Sequence, residues 1–209
     1  SIEKQRGIVT AYNTITDRIE LKRKINDNLE AVLAASHSKM FFSKDTSEHS
    51  KLGELMTFGN GKSRPKTDGP IPVYGGNGVL SYTDHHNIEN AVLIGRVGAY
   101  CGSLYRELGK CWISDNAIAA KSKINCNMFT YYLLKDLKLN ERSEGTGQPL
   151  ITQGLLNNIV MPKPKSELIF EFEKYVNKFF VQQNFYEKEN QKFEELKELL
   201  LGRMVRVEN

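Results

Sequence analysis

The chain has 209 residues, of which 40% are hydrophobic and 26% charged, and a formal net charge of +4. That length admits one ordinary globular domain with extended elements attached, and excludes two full domains of about 150 residues each. The composition excludes the disordered classes. No run reaches the roughly 18 apolar residues of a membrane span, and the start, with Glu3, Lys4 and Arg6, has no signal-peptide character. The expectation is a cytoplasmic protein without a membrane partner.

Residues 1–43 read as a long helix. Ile8, Tyr12, Ile15 and Ile19, then Ile25, Leu29 and Val32, recur at spacings of three and four, with no proline and no glycine after Gly7. The spacing slips between Ile19 and Ile25, where Lys22, Arg23, Lys24 and Asn26 crowd the seam, so a local irregularity is expected there.

Residues 44–165 have a different texture, in which short apolar or β-branched runs alternate with Gly, Asn and Asp turns. Ile71-Pro72-Val73-Tyr74, Ala91-Val92-Leu93-Ile94 and Cys111-Trp112-Ile113 are the strongest strand candidates. One helix is expected from Met128 to Leu139, and Pro162 and Pro164 close the segment. This stretch carries fifteen basic and eleven acidic side chains, whereas residues 166–209 carry seven and nine. The middle is therefore the basic part, compatible with contact to phosphates.

Residues 166–209 read as a second long helix, with Leu168, Phe172, Tyr175, Phe179, Tyr186, Phe193, Leu196 and Leu200 on a heptad seam. Of the seam positions only Gln182 and Glu189 are polar. Thirty-three helical residues make a rod of about 50 Å, too long for the domain's own core to cover. The fold class expected is α+β: one strand-rich domain flanked by two long helices that form an antiparallel coiled coil, since the first enters the domain and the second leaves it.

Three cysteines, Cys101, Cys111 and Cys126, at loose spacing suggest neither a disulfide framework nor a zinc site. Adjacent His85 and His86 suit a polar turn. No metal or cofactor is expected. There is also no amino-methyltransferase motif, no phosphate-binding GxxxxGK[ST] loop and no paired-carboxylate nuclease pattern.

The candidate binding residues lie in and around three glycine-rich blocks. Pro70–Tyr82 contains Tyr74-Gly75-Gly76-Asn77-Gly78, which reads either as a plain hairpin turn or as a loop whose backbone can approach a ligand. Val92–Gly102 contains Arg96 and Tyr100 and is followed by Trp112-Ile113-Ser114-Asp115-Asn116-Ala117; the third block is Gly145-Thr146-Gly147-Gln148-Pro149-Leu150-Ile151. Asn77 and Gln148 carry amides able to pair with adenine edges, or to cap turns. Asp115 and Asn116 read mainly as turn stabilisers. Lys62, Arg64 and Lys66 form an alternating basic stretch that reads as a phosphate contact or as a solvated loop.

Taken in order, these segments resemble the target-recognition domains of type I restriction-modification specificity subunits, which carry IPxYGGNG, GRxGAYCG, a WxSDNA-like segment and GxGQPxI. Glu20–Glu30 is similar to the family's central helix and Leu168–Leu200 to its C-terminal one. The resemblance implies a DNA-reading subunit that catalyses nothing itself and addresses modification (methyltransferase) subunits, and through them the restriction subunit, to double-stranded DNA. On that reading the DNA-binding residues are Lys62, Arg64, Lys66, Tyr74, Asn77, Arg96, Tyr100 and Gln148. The family usually carries two recognition domains, so this chain looks half-sized or truncated; a homodimer and a monomer whose own helices pair both stay open. A coiled-coil interaction scaffold that does not read DNA is the alternative, followed by a carbohydrate- or nucleotide-binding β domain on a helical tether.

Overall fold

The computed structural model describes residues 2–42, 48–145 and 147–206. The expected boundary at 43/44 and Thr146 of the third block lie outside the described residues. Two compact units are present, Ser1–Leu33 with Tyr175–Asn209, and Ala34–Lys174. Among the described residues no helix is long and apolar enough to cross a membrane.

The first unit consists of parts of two helices, α1 (Ile2–Phe41) and α5 (Ser166–Arg206). Tyr12 takes the Lys197 ammonium over its ring at 5.3 Å, the Asn190 amide donates to the Ile19 carbonyl at 3.5 Å, and Asn26 and Gln183 exchange amide-to-carbonyl bonds at 3.4 and 3.3 Å. Each step of seven along α1 is thus matched by a step of seven back along α5. That is an antiparallel heptad register.

The buried strip differs in detail from the seam expected from sequence. On α5, Val176, Gln183 and Asn190 are buried, whereas Tyr175 and Leu196 are each 42% exposed. At the first of these steps helical geometry turns Tyr175 outward and its smaller neighbour Val176 inward, and at the next two an amide side chain takes the inner position. On α1 the expected slip is absent. Ile15, Ile19 and Leu33 are buried, Val32 is exposed, and Lys22 and Asn26 hold seam positions in an unbroken helix. Lys22 does so by pairing with Glu189 at 2.7 Å and laying its ammonium 4.6 Å from the Phe193 ring centroid. Apolar stem and aromatic face cover what the chain cannot exclude.

The second unit is built on a six-stranded sheet in the order β2-β7-β5-β6-β3-β4, antiparallel except where β3 meets β6. Its strands are β2 (Met56–Asn60), β3 (Ile71–Gly75), β4 (Gly78–Thr83), β5 (Ile88–Gly95), β6 (Leu104–Ile113) and β7 (Ala117–Ser122). A short antiparallel pair, β1 (His49–Lys51) with β8 (Val160–Pro162), joins the start of the domain to its end. Helix α2 (Leu52–Leu55) and helix α4 (Gln153–Asn158) pack together beside this pair.

Residues 91–95 of β5 are all buried, which is why this strand reads as an apolar run and not as an alternation. On one face Ala91 and Leu93 pack with Cys111, Ile113, Ala117 and Ala119, and Tyr74, Ile88 and Tyr105 close the cluster. The residues between them, Val92, Ile94, Ile118 and Ala120, are equally buried. Helix α3 (Asn127–Asp136) packs against β5, β6 and β7. It ends earlier than the sequence suggested, and a 3-10 turn, Leu139–Arg142, follows a left-handed Lys138. The Glu173 carboxylate caps α3 by accepting from the amides of Met128 (3.2 Å) and Phe129 (2.7 Å), which places an anion where the helix dipole favours it.

His37, fully buried, packs among Phe41, Phe129, Tyr132 and Phe172, and its Nδ1 lies 2.6 Å from Asp136. Burial lowers its pKa from the ordinary 6.5 against the opposing hydrogen bond and charge of Asp136, so the ring is held neutral.

Candidate nucleic-acid interface

The glycine-rich blocks, far apart in sequence, meet around Gly95 at the end of β5. The Gly95 amide donates to Ser103, and its own carbonyl accepts from the Gly102 amide, both at 2.8 Å. A methyl group placed on Gly95 would collide with the carbonyl oxygen of Tyr100 and come within 2.9 Å of that of Gly76. Only a residue without Cβ lets the hairpin between β3 and β4 approach so closely. That hairpin pairs Gly75 with Gly78, leaving Gly76 and Asn77 as its tip, and Gly78 takes φ +84°.

Arg96 joins two further blocks. Its amide donates to the Asn116 carbonyl (3.0 Å) and its carbonyl accepts from Ile151 (2.9 Å), while Gly98 donates to Pro149 (3.0 Å). Lys62 is drawn in by pairing beside Ser114, with its amide on the Ile113 carbonyl at 3.0 Å, and Ser114 in turn donates to Tyr74 at 2.8 Å. Gly61 permits this, because any side chain there would run into the Ser114 carbonyl.

Of the predicted site residues, Lys62, Arg64, Lys66, Asn77, Tyr100 and Gln148 are exposed and Arg96 is half-buried. The framework above ties together the backbones at Lys62, Arg96 and Pro149 and the hairpin bearing Asn77; Arg64 and Lys66 continue from Lys62 along the irregular segment before β3. Tyr74 differs from the others. Its ring packs on the sheet cluster and against Tyr105, and its hydroxyl donates to Glu107 at 3.0 Å. Burial first, then the Glu107 charge, hold the phenol well above its usual range. These contacts fix the ring of Tyr74, half-buried, on the strand that leads into the hairpin. Asp115 and Asn116 are exposed at the turn between β6 and β7, with the Asn116 amide facing the Ser114 hydroxyl at 3.4 Å.

The three cysteines are free and buried. Burial is the leading cause that pushes the Cys111 thiol up to about 12 and that of Cys126 to about 11, which leaves neither poised for nucleophilic or metal chemistry.

A family model described as the type I restriction modification DNA specificity domain matches residues 44–179. The chain belongs to this family. Among curated proteins, the type I restriction enzyme EcoprrI specificity subunit of Escherichia coli is 27% identical over 61% of this chain and 34% of its own length. Among solved structures, the type I restriction-modification S subunit from M. genitalium shares the fold with a TM-score of 0.66 at 22% identity, covering 95% of this chain and 58% of that one. A chain from a structure of the type I R-M system, described for its complex assembly and conformational transition, gives a TM-score of 0.54 at 19% identity, covering 97% and 59%. This specificity-domain chain thus spans about a third of the curated relative and under two thirds of either solved chain.

Two cations of the specificity domain that stand over an aromatic ring escape any motif. Arg106, 4.6 Å over the Tyr131 ring, and Lys135, near the same ring, come from β6 and α3 and have no glycine neighbours to mark them. Their trace in sequence is the Tyr131…Lys135 spacing of four on α3, which many solvated helices share.

Proposed function

We propose that this chain is the sequence-reading subunit of a type I restriction-modification complex, acting in the cytoplasm on double-stranded DNA. The observation that carries the reading is the convergence on Gly95 of three glycine-rich blocks and the Ser114–Ala117 turn, which presents Asn77, Arg96, Tyr100 and Gln148 beside the basic stretch Lys62, Arg64 and Lys66. Amide and guanidinium groups on a rigid sheet end are suited to base edges, and the flanking cations to phosphates. Membership of the family and the match to the E. coli specificity subunit support the same assignment.

In this reading the chain provides an address and performs no chemistry. Methyl transfer and cleavage belong to separate modification and restriction subunits, the former held by the helices α1 and α5. Two copies related by a two-fold axis would read the same half-site on opposite strands and give an interrupted palindrome.

The test is to reconstitute the chain with adenine methyltransferase subunits, map the methylated sites and sediment the chain. A single bipartite motif is expected. An asymmetric motif would remove the two-fold arrangement alone, and absence of salt-dependent duplex binding would favour the interaction scaffold instead. Changing Lys62, Arg64 and Lys66 together to Ala should weaken binding to every duplex alike and make the slope of log affinity against log salt shallower by up to about three. Loss of binding to one sequence only would reassign them to base reading.

A further inference from the structure

A second basic feature of the recognition domain lies outside every motif. Between the start of β6 and the end of α3 is a cleft of about 270 Å³ whose lining includes Gly102, Leu104, Tyr131, Lys135, Lys138 and Asn140. Two ammonium groups and an amide border it, and among the described residues that line it there is no carboxylate.

The cations are placed there by the local fold. Lys135 stands in the last turn of α3, where the helix dipole favours positive charge, with its ammonium 5.8 Å from the Tyr131 ring centroid and 6.0 Å from that of Tyr132. The Arg106 guanidinium lies over the same Tyr131 ring. Lys138 adopts φ 48° and ψ 60° where α3 breaks into the 3-10 turn, leaving its side chain 68% exposed. Glu141 approaches it only to 3.8 Å, an exposed contact that gives little neutralisation. Arg142 donates from Nε to the Leu137 carbonyl at 2.6 Å, which adds a further guanidinium to this turn.

The cleft also adjoins the proposed reading surface. Gly102 donates its amide to Gly95, the hub of that surface, and a side chain at Gly102 would strike the backbone of Asn140. Beyond Arg142 the chain runs directly into the loop that carries Gln148, closed by the mutual backbone bonds of Glu144 and Leu150 at 2.9 Å. A domain that reads base edges must be held in register by contacts to the backbone beside them.

We propose that this cleft holds a phosphate of the DNA backbone, with Lys135 and Lys138 supplying the charge and Asn140 a neutral donor. The proposal rests on the DNA-reading function above. Its role is positioning: the contact is blind to sequence and sets where Asn77, Arg96 and Gln148 fall along the duplex.

Duplex binding by the full chain, measured over a salt series for a cognate and an unrelated sequence, tests it. The variant Lys135→Ala with Lys138→Ala should bind both duplexes more weakly by the same factor and lower the salt slope by about one, the share of a single phosphate. A charge-matched control, Lys121→Ala with Lys163→Ala, removes two exposed lysines elsewhere on the domain and should leave the slope unchanged. An unchanged slope in the first variant, with circular dichroism showing it folded, overturns the phosphate contact and leaves the DNA-reading function standing. Equal losses in both variants overturn it too, because general charge would then account for them. Titration with inorganic phosphate and with a mononucleotide covers the other source of this chemistry. Saturable binding of either, abolished in the first variant while its salt slope stays intact, would make the cleft a free-anion site. A wild-type chain that shows no salt-dependent duplex binding would instead bring down the DNA-reading function. Should the double alanine variant fail to fold, Lys135→Gln with Lys138→Gln removes the charges while keeping a polar side chain of nearly the same length, and is read in the same way.

Discussion

The helix pair and the sheet domain solve the burial problem in different ways. In the domain, β5 and its neighbours bury Val92, Leu93, Ile94, Ile118 and Ala120 at 1% exposure or less, an apolar layer. In the helix pair the buried strip includes Gln183 and Asn190, and the side-chain oxygens of Asn26, Gln183 and Asn190 are enclosed without a hydrogen-bond donor among the described residues. Each such group costs about 1–3 kcal/mol relative to a satisfied one. The layer around β5 holds only apolar side chains, and the domain's own enclosed polar atoms without a partner among the described residues, such as those of His37, Ser50 and Trp112, belong to other residues. The seam's polar layers are costly, and their benefit is register: an Asn26–Gln183 exchange can form at only one alignment of two heptad strips that would otherwise slide by seven.

The largest expected effect tests the domain's half of that contrast. Leu93→Ala, at a site of 0% exposure on the central strand, should destabilise by about 3 kcal/mol through lost transfer energy and the cavity left behind. Denaturant unfolding measures it. A loss below about 1 kcal/mol would mean that the sheet interior relaxes far more than a close-packed core should.

In the seam the sign should reverse. Asn190→Leu removes an enclosed oxygen and a weak 3.5 Å bond and adds apolar contact, so the melting temperature should rise, by the equivalent of about 1 kcal/mol. The same change should loosen register, and a cysteine pair engineered at one alignment would then cross-link less uniquely. A fall in melting temperature with unique cross-linking would mean that Asn190 contributes stability after all.

Both halves of the contrast bear on what was legible in the sequence. The strands of the domain announce themselves as apolar runs because they are buried on both faces, and the long helices announce themselves by length and by the absence of proline. The inner strip of the coil was only half legible. Phe179, Tyr186 and Phe193 belong to it, but Tyr175 and Leu196 drew the other half one residue off, since bulk is visible in a sequence and helical phase is not. Lys22 looked like an interruption because its sheltering partners, Glu189 and Phe193, lie far along the chain. The candidate site is visible in the sequence only as separate glycine-rich blocks. Their meeting at Gly95 depends on a crossover that pairs β3 with β6 in parallel and on backbone bonds from Arg96 to Asn116 and Ile151, none of which a spacing rule encodes.

A pH effect separates the two regions further. His37 is neutral in the folded domain, its pKa lowered by burial, and the unfolded chain binds a proton near 6.5. As pH falls through that value the unfolded state gains protons that the folded state does not, so this histidine's stabilising contribution, full above 6.5, declines on acidification. Replacing His37 with Gln, which can still donate to Asp136, should flatten the fall in melting temperature between neutral and mildly acidic pH. If wild type and variant fall in parallel, His37 is not the titrating group.

The smallest effect expected lies in the helix pair and discriminates between two neighbouring cations. Lys22 has a side chain 17% exposed, an ion pair at 2.7 Å and an aromatic ring beneath it, whereas Arg23, one residue on, is 62% exposed and meets Glu194 at 3.0 Å. Water and salt screen the second pair, and Glu194 has a further partner in Lys197 at 3.1 Å, so losing the guanidinium leaves no orphaned charge. Arg23→Ala should therefore change stability by less than about 0.5 kcal/mol, and less still in high salt. Lys22→Ala should cost more, because it opens the seam between Ile19 and Asn26 and leaves Glu189 without its partner. Thermal melts of the two variants at low and high ionic strength decide it. Equal losses would show that the coil is held by surface charge and not by its buried strip, and the contrast between a seam chosen for register and a core chosen for stability would fail at its weaker end.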